Sequence, residues 1–188
     1  MKGKRVIMRI NKLLSNYGIC SRTGANKLIE ENRIIVNGLL CMKGQWVEEK
    51  DNILVDNKNI IKKEKIYIAL NKPVGITCTA EKTVASNIID FMNYPEYIFP
   101  VGRLDKASQG LILMTNDGEL ANNILESKNE HEKEYIVTIN KPYDNNFIEG
   151  MSKGVQICGV NTRPCKVSRI SENTFEIILT RSEEHTSE

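Results

Sequence analysis

The sequence is poor in the residue types that build metal and redox sites. It contains two histidines and five cysteines among 188 residues, and no two cysteines form a C-x-x-C pair. An odd number of scattered cysteines argues against a disulfide framework, and so few histidines argue against a zinc site. We therefore interpret all five cysteines as small buried apolar residues.

Long apolar runs and several familiar catalytic motifs are also missing. No apolar run approaches the roughly 18 residues of a membrane span, and residues 1–8 lack the apolar core of a secretory signal. The sequence has no G-x-x-x-x-G-K-[ST], G-x-G-x-x-G, G-x-S-x-G or H-E-x-x-H motif. We expect a cytoplasmic protein in which any enzyme acts through a carboxylate, without a metal or nucleotide cofactor.

Charge is balanced over the whole chain but not along it. The first 45 residues contain nine Lys or Arg against two Glu, a net charge of +7, so the remainder carries −5 of the total of +2. Neutralising phosphates requires clustered positive charge, which favours a nucleic-acid partner at this end. A basic helix face exposed only to solvent is the alternative.

The amino-terminal segment predicts two helices followed by a hairpin. Apolar residues recur at helical spacing over 10–17, which predicts a first helix that ends at Gly18. Ser21 can cap a second helix with an apolar stripe. The pair Asn37-Gly38 between two apolar runs predicts a two-residue hairpin turn.

The rest of the chain predicts a second domain of mixed secondary structure. We place the boundary near residue 62, so that residues 1–62 and 63–180 form the two domains and residues 181–188 an unrelated polar tail. The predicted strands are 66–70, 110–115, 135–139, 165–170 and 174–180, and the predicted helices 88–92, 118–126 and 147–151. Short strands interspersed with helices and tight turns favour an α+β fold with a mainly antiparallel sheet.

The densest group of reactive residues reads VGRLDKASQG and occupies residues 101–110. In an extended backbone Arg103 and Asp105 project to the same side, so that Arg103 can hold Asp105 ionised. An ionised carboxylate in a cleft is a candidate nucleophile or base. A structural salt bridge in a turn is the more ordinary interpretation of the same pair, and both stay open at this point.

Residues 9–38, RINKLLSNYGICSRTGANKLIEENRIIVNG, resemble an S4-type RNA-binding domain. The resemblance is carried by Ser21-Arg22, by the apolar stripe that follows and by Val36-Asn37-Gly38. Thr23 stands where a basic residue is usual, and Asn32 where a glycine is usual. The resemblance implies RNA contacts through the hydroxyl and basic side chains of this segment: Arg9, Lys12, Ser21, Arg22 and Lys27.

Residues 66–180 resemble the catalytic domain of the RsuA-type ribosomal RNA pseudouridine synthases. The matching motifs are ALNKPVG at 69–75, FPVGRLDKASQGLILMTNDG at 99–118 and HEKEYIVTI at 131–139. Within this family the chain is most similar to the type that isomerises uridine 2604 of 23S rRNA. The resemblance implies a cofactor-free reaction: the N1–C1′ bond of a uridine breaks, the uracil rotates, and C5 joins the sugar.

The same resemblance implies roles for individual residues. Asp105 matches the family's essential aspartate, which acts as nucleophile or base. Tyr135 matches the tyrosine that packs on the target base, and Arg103 the arginine beside the aspartate. Lys72 and Pro73 match the motif that forms the floor of the substrate pocket.

We expect a monomer that binds ribosomal RNA, 23S in particular, or the assembling large subunit, and that has no membrane partner. Flipping a uridine out of its stack costs a few kcal/mol, which phosphate contacts by the basic segment offset. Because only Tyr17 is aromatic in residues 1–45, before Trp46, we expect base stacking to contribute little there.

The last eight residues do not match the family, and we expect a truncated chain that is less stable and less active than a full-length relative. Two other classes of protein remain open. One is a non-catalytic S4-type RNA-binding protein that acts in ribosome assembly. The other is a carboxylate-dependent hydrolase, which requires a second acidic residue near Asp105.

Overall fold

The computed structural model describes residues 7–81, 83–126 and 131–180. The chain divides into two compact units, Met1–Leu125 and Glu126–Glu188. Every pairing between the described strands is antiparallel, which confirms the expected α+β class with a mainly antiparallel arrangement.

None of the helices in the described part of the chain has the length and apolar character that crossing a membrane requires.

The first half of unit 1 contains short strands around two helices. Its elements are β1 (Ile7–Arg9), α1 (Ile10–Asn16), α2 (Arg22–Glu30), β2 (Ile34–Val36), β3 (Leu39–Leu40), β4 (Trp46–Glu48), β5 (Ile53–Val55) and β6 (Lys58–Asn59). Strand β1 pairs with β4, and the other four strands form a sheet in the order β3-β2-β5-β6. The apolar faces of both helices pack with these strands around one core: Ile10, Leu13, Leu14, Ala25, Ile29, Ile34, Val36, Cys41, Val47 and Ile53.

The helix ends in this half follow the chemistry that the sequence predicts. Gly18 ends α1 in the left-handed conformation at φ +69°, and the Ser21 hydroxyl accepts a hydrogen bond from the Gly24 N–H at 2.9 Å to cap α2. Both predictions are therefore confirmed. Asn32, which replaces a usual glycine, follows α2 at φ +55°, a conformation that Asn tolerates better than most residues.

The second half of unit 1 is a three-stranded sheet with two helices. Its elements are β7 (Tyr67–Lys72), α3 (Ile88–Met92), β8 (Phe99–Val101), β9 (Gly110–Thr115) and α4 (Gly118–Leu125), and the strand order is β7-β9-β8. Its core consists of five buried residues: Cys78, Ile88, Ile98, Ile112 and Met114.

A buried asparagine holds the segment that connects the two halves of unit 1. The side chain of Asn116, 3% exposed, accepts a hydrogen bond from the Ile66 N–H at 2.9 Å and donates one to the Glu64 carbonyl at 2.8 Å. The Lys63 N–H donates to the carbonyl of Tyr17 at 3.0 Å, at the end of α1. The segment at the predicted domain boundary is thus hydrogen-bonded on both sides.

Unit 2 is built on a second three-stranded sheet. Its elements are β10 (Glu132–Thr138), α5 (Asn145–Ser152), β11 (Gln156–Ile157), β12 (Val160–Asn161), β13 (Lys166–Arg169) and β14 (Thr174–Thr180), with the sheet order β10-β14-β13. The rings of Tyr143, Phe147 and Phe175 cluster with centroids 5.2 to 5.7 Å apart. The tail predicted at 181–188 lies outside the described residues.

Among the described residues, three hairpins turn on pairs of left-handed residues, and one of them joins β5 to β6 through Asp56 and Asn57, at φ +52° and +60°. Asn37 and Gly38, at φ +51° and +84°, join β2 to β3 as predicted. Cys158 and Gly159, at φ +50° and +82°, join β11 to β12 in the same way. Because it forms this turn, Cys158 is exposed, and the interpretation of all five cysteines as buried apolar residues is wrong for it. Cys41 and Cys78 are buried, and the other two are partly buried.

Candidate active site

Asp105 lies in the loop 102–109, which joins β8 to β9. Leu104 packs against the core, and its N–H donates to the Cys78 sulfur at 3.4 Å. Arg103 and Asp105, on either side of this inward residue, are both exposed. The loop therefore presents one positive and one negative side chain to solvent by anchoring the residue between them.

The structure does not join these two charges directly. Among the described residues, no ion pair links Arg103 to Asp105 within 4.0 Å, so of the two interpretations that the sequence left open, the structural salt bridge is not formed. At exposed positions an ion pair contributes about 0–1 kcal/mol, too little to fix two long side chains in one geometry. The Asp105 carboxylate is left open to a ligand.

The side chain of Lys72 is hydrogen-bonded to the loop 102–109. Its side chain is fully buried at the end of β7, with 0% exposure. The ammonium donates three hydrogen bonds to backbone carbonyls, to Pro73 at 3.0 Å, Ile76 at 2.9 Å and Ser108 at 2.7 Å. Since a Lys ammonium has three N–H donors, every donor is used, and one side chain ties the loop that follows β7 to the loop that carries Asp105.

Two further contacts fix the same pair of loops. The Gly75 N–H donates to the carbonyl of Lys106 at 2.7 Å, immediately after Asp105. The Ser108 N–H donates to the carbonyl of Asp105 at 3.0 Å and closes the turn. The backbone of Asp105 is thus positioned by hydrogen bonds on both sides, although its carboxylate is exposed.

This geometry gives the Lys72 side chain a structural role. A buried ammonium with three backbone acceptors has no donor left for a substrate, so Lys72 positions the two loops, and its predicted place in the floor of the substrate pocket stays a prediction. Pro73 is exposed beside it, and its place in the pocket floor stays a prediction.

Tyr135 belongs to unit 2, in the middle of β10. It is paired with Ile177 of β14, and its side chain is 46% exposed. Because cross-strand partners share a sheet face, Tyr135 lies on the same face as the buried residues Phe175 and Ile177. That Tyr135 and Asp105 act on one base stays a prediction.

A second buried charge of unit 1 is structural. Asp117 is 6% exposed, accepts the Glu119 and Leu120 N–H groups at the start of α4, and pairs with Lys65 at 2.6 Å and with the Tyr67 hydroxyl at 2.8 Å. Burial raises the pKa of this carboxyl, but the hydrogen bonds from Lys65, Tyr67 and Leu120 outweigh it and leave the pKa below its ordinary value.

Asp117 is not the second acid that a hydrolase requires. It follows the end of β9, whereas Asp105 precedes the start of that six-residue strand, so the length of the strand, roughly 20 Å, separates them. In the described ranges, no group of three or more His, Cys, Asp or Glu side chains is arranged to hold a metal ion.

The predicted RNA-binding residues separate into two sets. Arg9, Lys12 and Arg22 line one surface pocket of about 290 Å³, together with Trp46. The other two have contacts within the protein: the Ser21 hydroxyl caps α2, and Lys27 pairs with Glu31 at 3.9 Å in the next turn of that helix. Direct RNA contact by Ser21 and Lys27 stays a prediction.

Comparison of the chain with known proteins identifies its family. Residues 66–187 match the family model described as RNA pseudouridylate synthase, and residues 8–53 match the S4 domain model. The chain belongs to the RNA pseudouridylate synthase family. The S4 domain stands at its amino-terminal end, as the sequence predicts.

Individual proteins similar to this chain are named pseudouridine synthases as well. The chain is 46% identical over 175 residues to the dual-specificity RNA pseudouridine synthase RluF of Escherichia coli K12, covering 92% of this chain and 60% of that protein. It is 31% identical to the ribosomal large subunit pseudouridine synthase B of Bacillus subtilis, covering 87% of this chain and 68% of that one. This chain therefore spans about 60% of the length of its RluF relatives.

A solved structure shares the pseudouridine synthase fold. It is described as a pseudouridylate synthase, is 25% identical to this chain and superposes with a TM-score of 0.59, covering 95% of this chain and 79% of that one. Because the similarity covers 95% of this chain, it extends over both the amino-terminal segment and residues 66–180.

Two features of the site were not foreseen from the sequence. The burial of Lys72 depends on carbonyls up to 36 residues away, so no local pattern indicates it. The second feature is the outward-facing ring of Trp46. The one signal for it is the alternation of side chains along a strand, because the next residue, Val47, is buried.

Proposed function

We propose that this chain isomerises specific uridines to pseudouridine in ribosomal RNA. The observation that carries the proposal is the loop of Asp105, which exposes a carboxylate on a backbone held by the buried Lys72. A reaction at one carboxylate requires such a fixed backbone, because the reacting group must be held in place while the nucleotide is bound. Membership of the pseudouridylate synthase family supports the same chemistry.

In the proposed reaction, Asp105 acts as nucleophile or base on a nucleotide flipped out of its stack. The N1–C1′ bond breaks, the uracil rotates, and C5 bonds to C1′ and then loses its proton, while N1 gains one. The product is therefore an isomer of the substrate, and the reaction needs no oxidant, reductant or transferred group. Tyr135 packs on the base and assists removal of the C5 proton.

The remaining site residues serve binding in this proposal. Arg103 provides positive charge beside Asp105, and Pro73 forms part of the pocket floor above Lys72. We propose that residues 1–62 bind RNA phosphates and residues 63–180 carry the catalytic site. The proposed setting is a monomer in the cytoplasm that acts on 23S rRNA or on the assembling large subunit.

The test is product formation by the chain as it stands. Transcripts of 23S rRNA segments, 16S rRNA segments and a transfer RNA are incubated with the protein, and pseudouridine is mapped by carbodiimide adducts that stop reverse transcription. We expect a stop at a defined uridine in a 23S segment. A stop only in 16S rRNA or transfer RNA contradicts the 23S assignment. Tight RNA binding without product contradicts the catalytic proposal and favours a non-catalytic S4-type RNA-binding protein.

A further inference from the structure

The pocket of Trp46 combines an aromatic surface with positive charge. It lies where β1 pairs with β4, has a volume of about 290 Å³, and is lined by Arg9, Lys12, Arg22 and Trp46 among others. This volume is close to the lower end of the roughly 300–1,000 Å³ of small-ligand sites. A pocket of this size suits one planar group better than a large macromolecular surface.

Trp46 offers most of its ring to solvent. Its side chain is 61% exposed, whereas the next residue, Val47, is 1% exposed, because side chains of a strand alternate between its faces. Arg9 stands directly opposite Trp46 in the strand pair, and its guanidinium lies 5.8 Å from the centre of the indole ring. The Arg9 guanidinium thus contacts the indole ring from strand β1, and a large part of the indole surface stays open to solvent.

The cations of the pocket are not neutralised by the protein. No carboxylate among the described residues forms an ion pair with Arg9, Lys12 or Arg22. Other basic residues of the same segment do have such partners: Lys27 and Arg33 pair with Glu31, and Lys43 pairs with Glu30. Three uncompensated positive charges around one cavity favour a ligand with several negative charges.

We propose that this pocket binds a single unpaired RNA base, stacked on Trp46, with the phosphates beside it on Arg9, Lys12 and Arg22. A paired base hides its faces in the helix stack, so only a base in a loop, bulge or single strand can fill the pocket. This proposal departs from the expectation that stacking contributes little to this segment. This inference rests on the proposed function in one respect, that RNA is the partner.

The single tryptophan of the chain makes the contact directly measurable. The intrinsic fluorescence is titrated with a ten-residue oligouridylate, with a fully paired RNA duplex and with inorganic polyphosphate at the same salt concentration. Stacking predicts saturable quenching by the single strand and much weaker quenching by the other two. Equal quenching by polyphosphate means that charge alone brings the ligand to the pocket, and contradicts the proposal.

Substitutions separate stacking from charge. Trp46→Ala should weaken binding of the single strand by about 5- to 150-fold, the range measured for one stacked base, and leave duplex binding nearly unchanged. Trp46→Phe retains an aromatic face and should recover most of the affinity. The control is Leu39→Ala, which removes another side chain of the segment that is 75% exposed, but away from the pocket. Wild-type affinity of Trp46→Ala, or equal losses for single strand and duplex, overturns the proposal.

The failure of this inference can be distinguished from that of the proposed function. If the wild-type chain forms no pseudouridine but Trp46→Ala loses the single strand, only the catalytic proposal fails. If pseudouridine forms and Trp46→Ala binds single-stranded RNA as the wild type does, only the stacking pocket fails.

Discussion

Lys72 and the basic residues of the Trp46 pocket have the same charge and opposite uses. Lys72 is fully buried, and its three donors hold three backbone carbonyls. Arg9, Lys12 and Arg22 line an open pocket without a carboxylate partner among the described residues. The first cation fixes the protein's own backbone, and the others are available to an outside polyanion. Depth in the fold, rather than residue type, decides between the two roles.

The largest effect on stability is expected where the cation is buried. Lys72→Met removes the donors of three backbone carbonyls, and each buried acceptor left without a partner costs about 1–3 kcal/mol. We therefore expect the free energy of unfolding, measured by urea denaturation, to fall by about 3 kcal/mol or more.

Lys106→Met is the matched control for Lys72→Met. Lys106 is exposed in the Asp105 loop and contributes only its backbone carbonyl to the tether with Gly75. Its substitution should change the free energy of unfolding by less than about 0.5 kcal/mol. A similar loss in the free energy of unfolding for both variants would contradict the inference that the buried Lys72 stabilises the fold and the exposed Lys106 does not.

Asp117 extends the comparison to a buried anion. Asp117→Ala removes the cap of α4 and the partner of Lys65 and Tyr67, and should lower the free energy of unfolding by about 2 kcal/mol at pH 7. The folded-state pKa of Asp117 lies below the ordinary 3.8, so its stabilisation is complete well above pH 3.8 and is lost as the pH falls through the folded-state value.

The difference between wild type and Asp117→Ala should therefore be smaller at pH 3 than at pH 7. Equilibrium unfolding at both values measures it. A difference that stays constant or grows on acidification contradicts the assigned pKa direction.

A smaller effect, confined to binding, is expected from the exposed cations. Replacing Arg9, Lys12 and Arg22 together by Gln should flatten the slope of log affinity against log salt by up to about 2, since each phosphate contact of a single strand contributes about 0.7. Stability should stay near that of the wild type. An unchanged slope, measured with single-stranded RNA, would place the phosphate contacts elsewhere on the molecule.

The smallest effect is expected from a cation that already has a surface partner. Lys27 lies 3.9 Å from Glu31, and both side chains are exposed. An ion pair of this kind, four residues apart on a helix, contributes about 0.2–0.5 kcal/mol. Thermal unfolding of Lys27→Gln should thus be almost unchanged, and a loss above about 1 kcal/mol would show that partnering at the surface matters more than we infer.

Local features of the fold could be predicted from the sequence because their causes are local. The end of α1 at Gly18, the cap of α2 at Ser21 and the turn at Asn37-Gly38 each depend on a few consecutive residues. Most of the longer strands and helices of residues 66–180 follow from apolar spacing in the same way, whereas the two- and three-residue strands β8, β11 and β12 were not predicted. The family resemblance added Asp105 as the candidate carboxylate.

Contacts between distant segments could not be predicted in the same way. The Lys72 ammonium bonds carbonyls from two loops, and neither its side-chain chemistry nor its neighbours in sequence indicate this buried role. Trp46 meets Arg9 only because the three-residue strand β1 pairs with β4, and so short a strand has no clear sequence pattern. Cys158 is exposed because of its turn conformation, which residue type alone does not reveal.

We propose that the carboxylate of Asp105 performs the isomerisation from an anchored loop. The most direct measurement is pseudouridine formation in the 23S segment by Asp105→Asn, with RNA affinity and thermal unfolding measured on the same preparation. Because Asp105 is exposed, the substitution should leave folding and RNA binding unchanged, while product formation falls by at least about a hundredfold. Undiminished product formation by this variant would contradict a catalytic role of Asp105.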